Sequence, residues 1–112
     1  MKPVRVRLVF LTTADGGRRK RPVRVLRAPM QYTTDAEAIA RREFYDAQFT
    51  FCEIAADGFV DLGREVEADV VFFWPEAHVG KCVKGATFVI FEGKLTARGV
   101  FLDDLDLTSC MA

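Results

Sequence analysis

Few side chains in this sequence have the chemistry for catalysis. His78 is the only histidine and Ser109 the only serine among the 112 residues. Cys82 follows His78 by four residues, a spacing at which an imidazole could activate a thiol nucleophile. With Glu76 the same two residues could bind a metal, although structural zinc takes four ligands and the chain offers no second cluster. A solvent-exposed loop histidine and a buried core cysteine are the simpler interpretation, and we expect no enzyme, no metal and no other cofactor.

A basic segment is the other feature with binding chemistry. Residues 1–45 carry eleven Lys and Arg against four Asp and Glu, and residues 46–112 carry five against twelve, so the neutral chain divides into halves of +7 and −7. Six of the cations are close in sequence: Arg18, Arg19, Lys20, Arg21, Arg24 and Arg27. Such a run is commonly a solvated loop, and the alternative is a contact with phosphates or an acidic partner. Gly16 and Gly17 beside it could bind a phosphate, but neither GxxxxGK[ST] nor GxGxxG occurs.

The first half of the chain is predicted to form two strands and a helix around this basic segment. Apolar residues alternate over 4–10, which is the period of a half-buried strand. Pro22–Leu26 predicts a second, edge-like strand, because a proline cannot donate to a ladder. Thr34 and Glu37 form a capping box that predicts a short helix over about residues 35–44. The narrow apolar face of that helix would consist of Ala36, Ile39, Ala40 and Phe44.

The second half of the chain is predicted to consist of strands. Residues 47–54 and 67–74 are rich in apolar side chains, and Asp57-Gly58 predicts a hairpin that leads into 59–62. A closing hairpin is predicted from residues 88–91 and 100–102 around the turn Glu92-Gly93-Lys94. Short strands at close spacing with one helical insertion indicate an all-β barrel or sandwich.

Length and cysteine content indicate one domain in a reducing compartment. We place the domain over residues 1–104, followed by an acidic, flexible tail over 105–112. The cysteines, Cys52, Cys82 and Cys110, lack CxxC spacing, and we expect the first two to be small core residues. The longest apolar run has five residues, 70–74, whereas a membrane helix needs about 20. The sequence therefore predicts a cytoplasmic protein that does not contact a membrane.

Two blocks of the sequence have the pattern of strands from a known barrel domain. The first runs from Leu11 to Arg18, with Pro22 soon after, and resembles a strand that ends in an acidic-Gly-Gly-Arg turn. The second, YDAQFTF at residues 45–51, resembles a YRPQFYF strand.

A third block completes this pattern. Residues 67–102 resemble an apolar strand that closes on Trp74-Pro75, then a loop, then GxxFxIxEG at 85–93 and a glycine-bearing last strand. Together the three blocks resemble the C-terminal barrel, domain III, of bacterial elongation factor Tu. The resemblance implies a closed six-stranded antiparallel barrel, in which residues 24–44 would be an insertion carrying the short helix.

The resemblance also implies candidate binding residues. The 112 residues contain neither the GTPase domain nor the second barrel of the family, so GTP hydrolysis is not implied. In the family this barrel contacts the T stem of tRNA, and Arg18, Arg98 and Gly99 match positions near the RNA. Gln48 lies on the strand that faces the GTPase domain, where Asp46-Ala47 replaces the family's Arg-Pro. Gln48 is therefore a candidate protein-interface residue.

These features predict a non-catalytic binding module. We expect a protein partner or a regulatory role toward a protein, because a protein surface can use both signs of charge. The alternative is a translation-associated protein that binds the backbone of tRNA or another RNA. Its phosphate contacts would come from Arg18, Arg19, Lys20, Arg21, Arg24 and Arg98, with Gly99 close to the backbone. A third hypothesis is self-association through the inserted helix; no small-molecule substrate is expected, and the oligomeric state stays open.

Overall fold

Six strands form one closed antiparallel barrel in the computed structural model, which describes residues 2–107. The strands are Val4–Phe10 (β1), Val25–Tyr32 (β2), Tyr45–Phe51 (β3), Glu65–Phe72 (β4), Thr87–Phe91 (β5) and Leu95–Phe101 (β6). Their order around the barrel is β1-β4-β3-β2-β5-β6, and β6 pairs with β1 to close it. Closure gives every strand two neighbours, which removes exposed sheet edges. The predicted all-β fold, a closed six-stranded antiparallel barrel with a short helix, is confirmed.

The barrel interior is filled by alternate side chains of each strand. On β1 the buried residues are Val4, Val6, Leu8 and Phe10. Phe88 of β5 is fully buried, and its ring centroid lies 6.0 Å from that of Phe49 and 4.9 Å from that of Phe101. Burial of each such ring contributes about 1.5–3 kcal/mol. The interior is thus a packed aromatic core.

The second strand lies further along the chain than predicted. β2 covers Val25–Tyr32 and not Pro22–Leu26, and it contains Pro29 in its interior. Its ladder with β5 begins only at Met30, so Pro29 occupies a position that is paired with β3 alone. Such a one-sided position tolerates the missing N–H of proline. Residues 24–44 are therefore not an insertion outside the barrel, because they supply one of its six strands.

The predicted helix forms, but it is shorter and begins at a different cap. The helix α1 covers Ala36–Arg41, and its N-cap is Asp35, whose carboxylate accepts a hydrogen bond from the Ala38 N–H at 3.2 Å. Thr34 is not the cap. The predicted apolar face is wrong, because Ala38 is buried while Ile39 is 45% exposed. No helix within residues 2–107 is long and apolar enough to span a lipid bilayer.

Residues 59–62 do not form the predicted strand. Phe59 makes a single bridge with Val23, and the segment belongs to the long connection between β3 and β4. The turn predicted at Asp57-Gly58 does form, with a φ of 88° at Gly58. β3 and β4 each begin two residues earlier in the chain than predicted, and β6 begins five residues earlier.

The chain beyond β6 stays bonded to the barrel as far as Leu105. The Leu105 N–H donates to the Cys82 carbonyl at 2.9 Å, and the Asp104 carboxylate accepts from the Lys84 N–H at 2.7 Å. Residues 108–112 of the predicted tail, which include Ser109 and Cys110, lie outside the described residues.

We expect Gly99→Ala to lower the free energy of unfolding by about 1–3 kcal/mol, because it overpacks the core. Gly99 faces inward on β6, and a Cβ there would lie 2.7 Å from Cε1 of Phe88 and 3.0 Å from the Arg7 carbonyl oxygen. Urea unfolding midpoints measure the loss. Arg98→Ala, at the neighbouring exposed position, is the control and should change stability by less than about 0.5 kcal/mol. Equal effects of the two substitutions would contradict this account of Gly99.

Candidate functional site

The outer surface of β2, β3 and β4 presents three aligned rows of side chains. Backbone register defines them as Val25 with Thr50 and Asp69, Arg27 with Gln48 and Val71, and Pro29 with Asp46 and Phe73. We call these nine residues, together with Trp74, which lies two residues beyond the end of β4, the outer face. Gln48, the predicted protein-interface residue, lies at its centre.

Two consecutive aromatic residues are the most exposed apolar residues of the outer face. Phe73 is 50% exposed and Trp74 is 71% exposed. The outward positions of β4 begin with acidic residues and then become apolar at Val71 and Phe73. This change from acidic to apolar residues at outward positions can be read in the sequence, and it is a signal of a surface site. The interpretation of residues 67–74 as one continuous apolar strand overlooks it.

The backbone holds Trp74 firmly on both sides. β4 ends at Phe72, and Pro75 begins a 3₁₀ helix over Pro75–His78, so Trp74 lies between the end of the strand and the start of this helix. Pro75 fixes its own φ and favours this position in the first helical turn. The other end of the 3₁₀ helix is anchored by His78, which is 1% exposed.

His78 is buried in an aromatic box, so its predicted exposure in a loop is wrong. Its ring stacks on Phe72 with centroids 3.6 Å apart, and the Tyr45 ring lies 4.7 Å away. The Tyr32 hydroxyl lies 2.6 Å from His78 Nδ1, and this hydrogen bond allows an imidazole to be buried. Burial lowers the pKa of His78 to about 4 and raises that of Tyr32. The histidine is therefore neutral near pH 7, and its role here is to fix the 3₁₀ helix.

Cys82 does not form a catalytic pair with His78. Its backbone N–H donates to the His78 carbonyl, and its side chain is buried, as predicted for a core residue. Burial raises the pKa of the Cys82 thiol to about 12, so the thiolate needed for nucleophilic attack is absent at neutral pH. Within residues 2–107 no three His, Cys, Asp or Glu side chains are grouped to hold a metal.

Cys52 is exposed, and its predicted place in the core is wrong. It follows β3 and lines an open cleft of about 480 Å³ between β1, β4 and the connection that precedes β4. Partial burial, with smaller effects of nearby carboxylates such as Asp69 and Glu67, raises the pKa of the thiol. The thiol in this cleft is protonated and weakly nucleophilic at neutral pH.

A second polar cluster ties the helix to the same end of the barrel. Lys81 Nζ lies 2.7 Å from Asp35 Oδ2 and 2.7 Å from the Tyr45 hydroxyl. The hydrogen bond from Lys81 lowers the pKa of Asp35, and Asp35 in turn raises that of Lys81. Because Tyr45 also contacts His78, these groups form one network beneath the 3₁₀ helix. This network lies next in the chain to Trp74 and fixes the 3₁₀ helix that follows it.

Arg27 joins the aromatic residues to the charged part of the outer face. Its guanidinium carbon lies 4.1 Å from the centroid of the Phe73 ring, a cation–π contact. It also forms an ion pair with Asp46 at 3.5 Å, and the two side chains are 63% and 56% exposed. Neither has a second ion pair within the described part of the chain. The centre of the outer face therefore carries one loosely paired cation and one loosely paired anion.

Apolar surface continues beyond β2 onto β5. The Phe44 ring stacks on Phe91 with centroids 5.2 Å apart, and Phe44 is 39% exposed. Register places Ile90 opposite Met30, so the neighbouring Phe91 lies beside Pro29. Phe44 and Phe91 thus form a second aromatic pair, separated from Phe73 by Pro29 on β2 and Asp46 on β3.

The basic segment is partly used inside the protein. Arg18 forms an ion pair with Glu92 at 2.6 Å, and Arg21 contacts both Asp57 and Asp61. Of the first four cations of this segment, Arg19 and Lys20 are exposed, and neither forms an ion pair with a described residue. Arg18 and Arg21 are therefore committed to internal contacts.

Three amides of the turn beside the basic segment are bonded within the turn. The N–H groups of Asp15 and Gly17 donate to the Thr12 carbonyl, and that of Gly16 donates to the Thr13 carbonyl. The structure therefore provides no phosphate-binding turn at Gly16 and Gly17. Arg24 follows the segment and reaches the Phe51 carbonyl at 3.5 Å.

The remaining predicted binding residues lie far from the outer face. Arg98 is exposed on β6, between Val9 and Val89, and Gly99 beside it faces the core. β6 and β3 are on opposite sides of the barrel, three strands apart in either direction. The structure thus separates the RNA-type candidates from Gln48.

No protein-family model matches this chain, and no curated protein matches it. The likeness to elongation factor Tu therefore depends on the three sequence blocks.

We expect the free energy of unfolding to decrease as the pH falls from about 6.5 toward 4. In this window the unfolded chain protonates His78, whose ordinary pKa is 6.5, while the folded protein, with a pKa of about 4, does not. The loss is up to about 1.4 kcal/mol per pH unit. Urea midpoints at several pH values measure it. His78→Gln keeps a hydrogen-bond partner for Tyr32 without titrating, so an unchanged pH slope in this variant would refute the assignment.

Proposed function

We propose that this protein is a non-catalytic protein-binding module that docks a partner on the outer face. The observation that carries the proposal is the exposure of Phe73 and Trp74, together with the contact of Arg27 with the Phe73 ring. Trp and Arg are enriched among the residues that dominate binding energy at protein interfaces. A contiguous exposed aromatic surface is also uncommon on a protein that has no partner.

The form of the barrel supports side-chain docking as the mode of binding. Each of the six strands pairs with two neighbours, and only residues 25–29 of β2 pair on one side alone, so little sheet edge is open to strand addition. Outward side chains are therefore the larger part of the surface on which a partner can dock. The outer face offers apolar anchors at Val71, Phe73 and Trp74 and polar groups at Gln48 and Arg27, a mixture that matches interface cores with a polar rim.

We also propose that the barrel is of the elongation factor Tu C-terminal type. The three resembling blocks fall on the end of β1 and its turn, on β3, and on β4 through β6. Their occurrence in the family's order on five of the six strands supports this assignment. It would make the outer face the counterpart of a surface that contacts another domain in that family.

We expect Trp74→Ala to reduce partner binding at least tenfold without reducing stability, because truncation of a central interface tryptophan removes about 2 kcal/mol or more of binding energy. Quantitative mass spectrometry of proteins captured by the tagged wild-type protein and by the variant measures this loss. Phe59→Ala is the matched control, since Phe59 is 40% exposed on a different part of the surface. Equal capture by wild type and the Trp74 variant would refute the proposed face.

A second candidate function is binding of an RNA backbone. The favouring observation is that Arg19, Lys20 and Arg98 are exposed and have no ion pair among the described residues. Arg19 and Lys20 lie near the β5–β6 turn, because Arg18 bonds to Glu92 in that turn. Arg98 lies on β6, roughly 10–15 Å from the turn at about 3.3 Å per residue.

For this second function we expect a small salt dependence. Three phosphate contacts would give a slope of log affinity against log salt of about −2 to −3. Fluorescence anisotropy with labelled tRNA between low and moderate salt measures it, and Arg19→Glu combined with Lys20→Glu should abolish binding. A matched Lys84→Glu variant, away from the β5–β6 turn, should bind as wild type does. Absence of binding at low salt removes the RNA hypothesis.

A further inference from the structure

The centre of the outer face is nearly self-complementary in charge. Arg27 and Asp46 are diagonal neighbours on β2 and β3, because Arg27 pairs with Gln48 and Asp46 pairs with Pro29. Their ion pair is a single contact of 3.5 Å between two side chains that are each more than half exposed. An arginine carries five donors, so this contact leaves most of the guanidinium available to another carboxylate.

A partner with one sign of charge fits this centre poorly. An anionic partner would gain from Arg27 and be repelled by Asp46, and a cationic partner would meet the reverse. A second copy of the same face satisfies both groups at once. In an isologous dimer each contact occurs twice, so Arg27 meets Asp46 of the second copy and Asp46 meets Arg27 of the second copy.

We propose that the outer face forms a two-fold homodimer of this chain, with reciprocal Arg27–Asp46 ion pairs at its centre. The proposal rests on the proposed function, since it names the partner of that face. The two-fold axis lies in the plane of the face and runs through Pro29 and Gln48. This orientation brings the exposed Val25 of one copy opposite the exposed Phe73 of the other.

The area of the face limits the strength of the dimer. Three strands about 4.8 Å apart and three rows about 6.8 Å apart give about 300 Å² per copy, to which Trp74 adds. This is well below the roughly 800 Å² per partner of a standard interface, so the dimer is weak and exchanges rapidly. Because interfaces of standard size already extend to micromolar affinities, we expect a dissociation constant of roughly 10–100 µM for this smaller one.

Charge reversal distinguishes pairing between copies from pairing within one copy. In the homodimer of Arg27→Glu a carboxylate replaces the guanidinium opposite Asp46 in both contacts, and in that of Asp46→Lys an ammonium group faces Arg27 in both contacts. Each variant alone should therefore dimerise at least about tenfold more weakly than wild type. In a mixture of the two variants, one contact joins the two introduced side chains and the other joins the native Asp46 and Arg27. Both contacts then have opposite charges, and a heterodimer should form with near wild-type affinity.

Sedimentation velocity from about 5 to 500 µM, a range that brackets the expected dissociation constant, measures these equilibria. The control variants are Arg41→Glu and Glu37→Lys, which reverse an exposed ion pair of the helix and should leave dimerisation unchanged. Loss of the dimer in these controls would instead support self-association through α1.

A wild-type protein that stays monomeric up to about 500 µM overturns the proposal, since that is well above the expected dissociation constant. Mixed variants that fail to associate, when wild type does, overturn it as well. If the Trp74→Ala variant still captures fewer proteins than wild type, neither outcome contradicts the protein-binding function, because the face then binds a different partner. If Trp74→Ala has no effect while the charge-reversal pattern holds, the dimer stands and the wider function fails.

Discussion

The alternation of strand residues between the inside and outside of a closed barrel is the constraint on which this protein depends. Inside the barrel, each side chain must fit the aromatic core. At Gly99 the Phe88 ring leaves no space for a side chain. Outside, nothing in the fold demands apolar residues, and most positions on β1 and β4 are charged. Val71 and Phe73 depart from that rule on the outside, and they do so next to Trp74. Candidate binding residues are therefore most easily recognised at outward positions that are apolar instead of polar.

His78, the residue that the sequence offers as a catalytic candidate, belongs to a group of polar side chains packed near the 3₁₀ helix. His78 is held between Phe72 and Tyr32, and Lys81 bridges the helix cap and Tyr45. These contacts connect β2, β3, the helix and the 3₁₀ turn at one end of the barrel. The buried Tyr32–His78 hydrogen bond favours one arrangement of its neighbours over others, whereas the contacts of Lys81 lie at the surface. The position of Trp74 is consequently determined by contacts made by residues deeper in the fold.

The sequence predicted the parts of the fold that depend on local pattern. Periodicity located β1 and, approximately, β3, β4 and the closing hairpin, and the three ordered blocks gave the closed barrel. β2 was misplaced because Arg27 and Pro29 look unlike a strand unless the one-sided pairing at Pro29 is known. The burial of His78 depends on Tyr32, 46 residues away, and no local pattern reports such a partner. Likewise, the sequence makes Arg18 and Arg21 candidates for phosphate binding. It does not show that both lie beside carboxylates that are distant in sequence.

The pairing of β1 with β6 has a consequence for the order of folding. Val6 pairs with Phe101, so the barrel cannot close until nearly all of the described chain has been synthesised. Until then β1 presents an unpaired edge, and contacts so distant in sequence form slowly because a long loop must close first. Arg5 and Arg7 alternate with the apolar residues of β1, and charges on a temporarily open strand oppose its association with other nascent chains. The two arginines thus protect an edge of β1 that is exposed only until β6 pairs with it.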